Sequence, residues 1–245
     1  MSDAGHFVTE VMFDGPPDLP GYPFELPVVR TLATTGSLTF APGVTFFVGD
    51  NGSGKSTLVE SLAVAAGFNA EGGSKSFQFS TRSSDYALAD RIRLRWNPGK
   101  PRSNFFLRAE SLFNVATEIE RLGILDFYGS HSLHEQSHGE SFLHLANQRF
   151  RPNGFYILDE PEAALSVQGC LALVARIAHL VQQNCQFIIA THSPILLALP
   201  HARILEIDGH GAISKVEYDS AEPVQLMRRF LDRPDLYLHH LLSDD

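Results

Sequence analysis

The stretch Phe46-Phe47-Val48-Gly49-Asp50-Asn51-Gly52-Ser53-Gly54-Lys55-Ser56-Thr57-Leu58 decides the fold. Its apolar start reads as the end of a buried strand, and Gly49 to Ser56 spell G-x-x-x-x-G-K-S, the phosphate-binding loop. The glycines let the backbone turn so that its N–H groups converge on phosphate oxygens at the start of a helix, whose dipole also favours anions. Gly49, Asn51, Gly52, Ser53, Gly54 and Thr57 are therefore candidate phosphate contacts. Lys55 is expected on the β- and γ-phosphates, and Ser56 on a magnesium ion. A nucleoside triphosphate with Mg2+ is the expected ligand.

The second landmark is Phe155-Tyr156-Ile157-Leu158-Asp159-Glu160, an apolar strand that delivers two adjacent carboxylates at its C-terminal end, where ligands sit in open α/β sheets. Asp159 suits the residue that holds magnesium opposite Ser56, and Glu160 the one that polarises an attacking water. A third apolar strand, Gln186 to Ala190, ends on Thr191-His192-Ser193-Pro194. There the His192 imidazole would reach the γ-phosphate and the attacking water.

Around these strands the pattern predicts helices over 56–68, 111–122, 141–150, 166–183, 195–199 and 222–231, with Asp232 to Asp245 as a tail. The 166–183 helix carries Leu171, Val174, Ile177, Ala178 and Val181 at helical spacing. Residues 1–27, with five prolines, read as an irregular arm. Its aromatics Phe13, Tyr22 and Phe24 would serve either to stack on adenine or to pack. Val28–Leu32 and Ser37–Phe40 read as short strands, and 71–84 as a loop. Arg91 to Trp96 alternates and is expected to form a hairpin with Asn104–Arg108. Arg203–Ile207 and Ala212–Tyr218 read as a second hairpin. His131 and His134, in a polar stretch, lack the further ligands a zinc site needs.

The chain has 245 residues, 44% of them hydrophobic, which fits one globular domain rather than a disordered chain. We read 1–245 as a single domain, with a core at about 28–108 and 151–245 and a helical lobe at about 109–150. The net charge of −9 argues against a protein that coats nucleic acid. Arg82, Arg91, Arg93, Arg95, Lys100, Arg102 and Arg108 would suit a polynucleotide, but a solvated strand face is the favoured reading. Cys170 and Cys185 lack metal-ligand spacing and read as reduced thiols in a cytoplasmic protein. No run approaches the length of a membrane span, and the N-terminal residues show no basic region followed by an apolar run, so no signal peptide is expected in them.

With these motifs in this order, the chain resembles the ATP-binding-cassette superfamily, within it the SMC-like and RecF-like ATPases, and most of all small stand-alone AAA family ATPases. Leu158 to Ser166 resembles the acidic strand and D-loop, Thr191-His192-Ser193 the switch-histidine segment, and Ser137-His138-Gly139-Glu140 the signature motif. His138 stands where the signature has glycine, and Ser166 where the D-loop has aspartate. Glu110 is the positional counterpart of the family's glutamine, with Gln78 a poorer one. The resemblance implies an α/β fold with a mostly parallel central sheet flanked by helices, an N-terminal antiparallel β portion and a short helical lobe. It also implies an ATP hydrolase that closes as a homodimer, with Ser137, Gly139 and Glu140 of one copy meeting the nucleotide on the other. Three tasks compete: nucleic-acid maintenance, the ATP-binding subunit of a membrane transporter, and a nucleotide-gated module without catalysis.

Overall fold

The computed structural model describes residues 5–16, 18–69, 87–110 and 138–243. The readings of 71–84, of the 111–122 helix, and of Gln78, Arg82, His131, His134 and Ser137 lie outside these residues. Two sheets share one body. Six strands make the larger: β3 (Val44–Gly49), β5 (Ser103–Arg108), β6 (Gly154–Asp159), β7 (Gln186–Ala190), β8 (Arg203–Ile207) and β9 (Ile213–Val216). Their order is β5-β6-β7-β3-β8-β9, parallel throughout except for β9, which turns back on β8. The smaller sheet is antiparallel, with β1 (Val8–Phe13) between β2 (Ser37–Thr39) and β4 (Ile92–Trp96).

The parallel strands are apolar without a break because both of their faces are covered. Tyr156 and Leu158 of β6, Phe187 and Ile189 of β7, and Phe46 and Val48 of β3 enter one core. Helices α3 (His138–Arg149) and α4 (Val167–Val181) close that core. On the other face Phe155, Ile157, Ile188, Ala190 and Phe47 meet α1 (Pro27–Thr35), α2 (Lys55–Ala65) and the antiparallel sheet. The chain ends with α5 (Pro194–Leu197), α6 (Glu222–Asp232) and α7 (Pro234–Leu242).

The buried Gln186 side chain helps to tie the two sheets together. Gln186, at the start of β7, accepts from the Phe7 and Val8 N–H groups at 2.9 and 2.8 Å. Its amide nitrogen donates to Val8 O at 2.8 Å and Ala41 O at 3.2 Å. The side chain thus satisfies four backbone groups that the junction would otherwise leave dry.

The fold class and most elements stand as expected, and five local readings are corrected. Residues 28–32 are helical: Pro27 sits at the first turn, and Gly36, left-handed at φ 78°, returns its N–H to Leu32 O. The arm contains β1, whose alternation is broken by a register shift between Val8 and Glu10. The 91–108 hairpin does not form. β4 pairs with β1, where Arg93 and Arg95 reach Asp14 and Glu10, while β5, with Phe105, Phe106 and Leu107 buried, joins β6. In α4 the buried stripe runs through Cys170, Leu173, Ile177 and Leu180, and Leu171 faces outward. The supposed tail is largely α7.

Gln186→Met keeps the volume but removes both halves of the amide. Two N–H and two C=O groups would lose their partner, and stability should fall by about 3 kcal/mol. Denaturant titration measures this, and a loss below about 0.5 kcal/mol would mean that the amide does not hold the sheets together.

Candidate functional site

The strand order brings the sequence landmarks to one edge. Arg108 of β5 is in register with Asp159 of β6, Asp159 with Ala190 of β7, and Ala190 with Phe47 of β3. One rung of the sheet therefore sets the acidic residue, the segment leading to His192 and the strand that enters the glycine loop side by side.

The loop is shaped from both sides. At Gly49, φ is 149°, and a Cβ would stand 2.5 Å from Ile207 O of the neighbouring β8. At Gly54, φ is 88°, and a Cβ would stand 2.7 Å from Val28 of α1. Only glycine fits either place. Gly54 precedes α2 with no side chain capping that helix, so its first N–H groups are open to an anion. Lys55 is only 3% exposed, and its ammonium donates to Asp50 O at 3.0 Å. Burial lowers its pKa, against the opposing pull of Glu160, Asp159 and Asp50. An anion in the loop would restore what burial removes.

Asp159 is buried at 4% exposure. Its Oδ2 stands 3.4 Å from Arg108 Nε, an ion pair without a hydrogen bond, and its Oδ1 has no partner. Burial pushes its pKa up to about 6, although the Arg108 guanidinium and the Ser56 hydroxyl pull it down. A buried carboxylate with an unused oxygen beside a serine hydroxyl is the donor set a hard cation takes, so Ser56 and Asp159 fit magnesium. Arg108 also pairs with Glu60 at 2.9 Å and Glu110 at 3.3 Å. The sequence pattern put Arg108 among basic residues on a strand, whereas the fold turns it to Asp159.

Glu160 has left-handed backbone, φ 46° and ψ 52°, held by its own N–H on Ala190 O and by Ala163 N–H on its carbonyl. Such a conformation is costly for a side chain with a Cβ and points to a constrained site. Its Oε1 lies 3.4 Å from His192 Nε2. The pair expected from two separate strands is therefore in contact. Glu162, two residues on, accepts from the Thr191 hydroxyl at 2.7 Å and from the His192 N–H. Its one signal in the sequence is a third carboxylate within four residues, Asp159-Glu160-Pro161-Glu162.

Of the three arm aromatics, Tyr22 reaches the site, with its hydroxyl 2.9 Å from Thr57 Oγ1. Phe13 and Phe24 pack against the core. Gly139 and Glu140 lie within the first turn of α3, not in a loop ahead of it. That turn stands over the 161–164 turn after β6, where a Cβ on Gly139 would lie 3.0 Å from Ala164 O. Ser166 caps α4, accepting from the Gly169 N–H at 3.1 Å. Glu110 is an exposed partner of Arg108.

A family model described as an AAA domain matches residues 30–123, the part of the chain that holds the glycine loop. A nucleotide-free ATP-binding cassette from an ABC transporter aligns at a TM-score of 0.50 and 16% identity, over 94% of this chain and 97% of that one. The SMC head domain from Thermotoga maritima aligns at 0.44 and 16%, over 86% and 98%. An inward-facing ABC transporter of metal-chelate type gives 0.48 and 15%, over 87% and 84%. No curated protein matches significantly. At such identities the likeness to the cassette carries the fold.

In the folded chain Asp159 titrates at about 6 rather than 3.8. Its folded pKa is raised, so the folded state bears a penalty above pH 6 that shrinks as pH falls and is gone below 3.8. Asp159→Asn should therefore stabilise the nucleotide-free protein by about 2–3 kcal/mol at pH 8, and by less than about 1 at pH 4. Paired denaturation curves at the two pH values test it, and a pH-independent difference would contradict the assignment.

Proposed function

We propose that this chain, with an AAA-domain match over residues 30–123 and a cassette fold, is an ABC- and SMC-like P-loop ATPase that binds and hydrolyses ATP as a nucleotide-gated homodimer. The observation that carries this reading is the edge where the buried Lys55 ammonium, the spare Asp159 oxygen and the Glu160–His192 contact share one row of strands. The whole chain is read as one ATPase domain.

The loop N–H groups from Gly49 to Gly54, with Lys55 and Thr57, bind the phosphates. Ser56 and Asp159 hold magnesium, which when bound neutralises charge on the β- and γ-phosphates. Glu160 takes the proton of the attacking water. His192 orients that water and senses the γ-phosphate through its contact with Glu160. The first turn of α3, with the N–H of Gly139, is offered to the nucleotide of a second copy, together with Ser137 and Glu140. Hydrolysis then releases the two copies, so the chemistry controls an association.

No particular task is favoured beyond this. The β4 arginines that would suit a polynucleotide are paired, Arg93 with Asp14 at 2.9 Å and Arg95 with Glu10 at 2.7 Å. Among the described residues no helix is long and apolar enough to cross a membrane, so a transporter role would need a separate membrane partner.

Lys55→Ala should abolish nucleotide binding. Glu160→Gln should keep Mg-ATP affinity within about threefold, lower turnover by about a hundredfold or more, and accumulate a dimer. Phosphate release and light scattering with and without Mg-ATP measure these outcomes. Equal turnover by wild type and Glu160→Gln would remove the catalytic assignment, and a mass indifferent to ATP would remove the dimer.

A further inference from the structure

The turn that follows β6 does more than lead away from the acidic pair. Glu162 lies in the short 3-10 turn Pro161–Ala164 and reaches across to the end of the neighbouring strand β7. One of its oxygens, Oε1, receives both the Thr191 hydroxyl at 2.7 Å and the His192 backbone N–H. Thr191 Oγ1 in turn accepts from the Ser193 N–H at 3.0 Å, and Ser193 caps α5 by accepting from the Leu196 N–H. The segment 191–193 lies past the end of β7: Thr191 N–H still bonds to Phe47 O of β3 at 3.0 Å, whereas the His192 and Ser193 N–H groups are held by these bonds. The other oxygen, Oε2, is buried without a partner.

On the other side, the same turn fixes Glu160. Ala163 N–H binds Glu160 O at 3.0 Å, closing the turn that keeps Glu160 left-handed. The Glu160 carboxylate then lies 3.4 Å from the His192 ring. The two groups read above as acting on the attacking water thus stand on different strands, and a four-residue turn locks both. Glu162 provides the cross-strand half of that lock. A carboxylate accepting two donors in a largely dry setting forms charge-assisted bonds, which hold geometry more tightly than neutral ones.

We propose that Glu162 is a positioning residue for hydrolysis: by gripping Thr191 and the His192 N–H, it keeps the His192 imidazole on the Glu160 carboxylate. This rests on the reading of Glu160 and His192 in the preceding section. Glu162 does not touch the reacting atoms. Its effect is on the rate of the step after binding, because its hydrogen bonds go to Thr191 and His192 and its charge is the smallest of the carboxylate influences on Lys55. Misplacing a water-orienting group by a fraction of an ångström to one ångström costs rate without costing affinity.

The test compares wild type with Glu162→Ala, Glu162→Gln and Thr191→Val, each shown by thermal melting to be folded. Steady-state ATP turnover, affinity for a fluorescent ATP analogue with magnesium, and hydrogen exchange at the His192 amide are measured together. Glu162→Ala should lower kcat by about tenfold to a hundredfold, with affinity changed less than about twofold, and should speed exchange at the His192 amide by about tenfold or more. Glu162→Gln keeps an acceptor oxygen and should restore kcat to within about fivefold of wild type. Thr191→Val, which removes the hydroxyl donor to Glu162 and the acceptor of the Ser193 N–H but leaves the His192 amide bond, should fall between the two.

Wild-type kcat in Glu162→Ala, or unchanged exchange at the His192 amide, overturns the proposal. So does an equal loss in the alanine and glutamine variants accompanied by weakened binding, the mark of a merely structural residue. Failure of the underlying reading has its own signature, since Glu160→Gln would then turn over like wild type. In that case the exchange arm still decides whether Glu162 holds the histidine.

Discussion

The structure depends on strand order more than on any single contact. Placing β7 between β6 and β3 sets Asp159, the exit of β7 and the entry to the glycine loop on adjacent strands, with Asp159, Ala190 and Phe47 in register. Because a one-residue slip would turn every side chain to the opposite core, the two apolar faces enforce that register. Phe155 and Ile157 belong to one face and Tyr156 and Leu158 to the other, so the strand cannot slide without exchanging them. The chemistry at the edge is therefore positioned by packing well beneath it.

The same order explains the electrostatics. Asp159 sits at a strand end covered on both sides, where burial holds its ionised form at a disadvantage that Arg108 only partly offsets. Lys55 is buried nearby and is likewise disfavoured as a cation. An acid and a base, both short of compensation, are kept close by a rigid sheet. Such a site suits a ligand that would complete its charges, in keeping with the open N-terminus of α2 and the unused Asp159 oxygen. The Glu162 lock belongs to the same design, since it spends a carboxylate on the geometry of the segment just past the end of β7.

The local signals were legible where one residue type has one physical use. The glycine loop, the acidic strand end and the histidine after an apolar strand each carry their meaning in a few adjacent residues, and the fold brings all three to one edge. Where the meaning lay in a partner, the sequence misled. Arg91 to Trp96 alternates like a hairpin strand, yet its arginines face Asp14 and Glu10 across β1, more than seventy positions away. Val8–Phe13 hides its strand behind a register shift, and Val28–Leu32 has β-branched residues that a proline and a glycine nevertheless frame as a helix. Leu171 falls at helical spacing but stands one position away from the buried stripe of α4.

By itself the sequence determined the loop that would receive phosphates, the carboxylates beside it, the parallel α/β class and the order of the motifs. These follow from local rules: glycine at positive φ, unbroken apolar strands, and charge at strand ends. Only the tertiary structure decided which sheet each of β1, β4 and β5 joins, that Arg108 serves Asp159, and that Glu162 reaches the Thr191–His192 segment. Those are pairings between residues far apart in the chain, selected by which faces must be buried and which buried polar groups must find a partner. No local pattern encodes that choice, because the same strand or arginine is equally content with any partner that satisfies it.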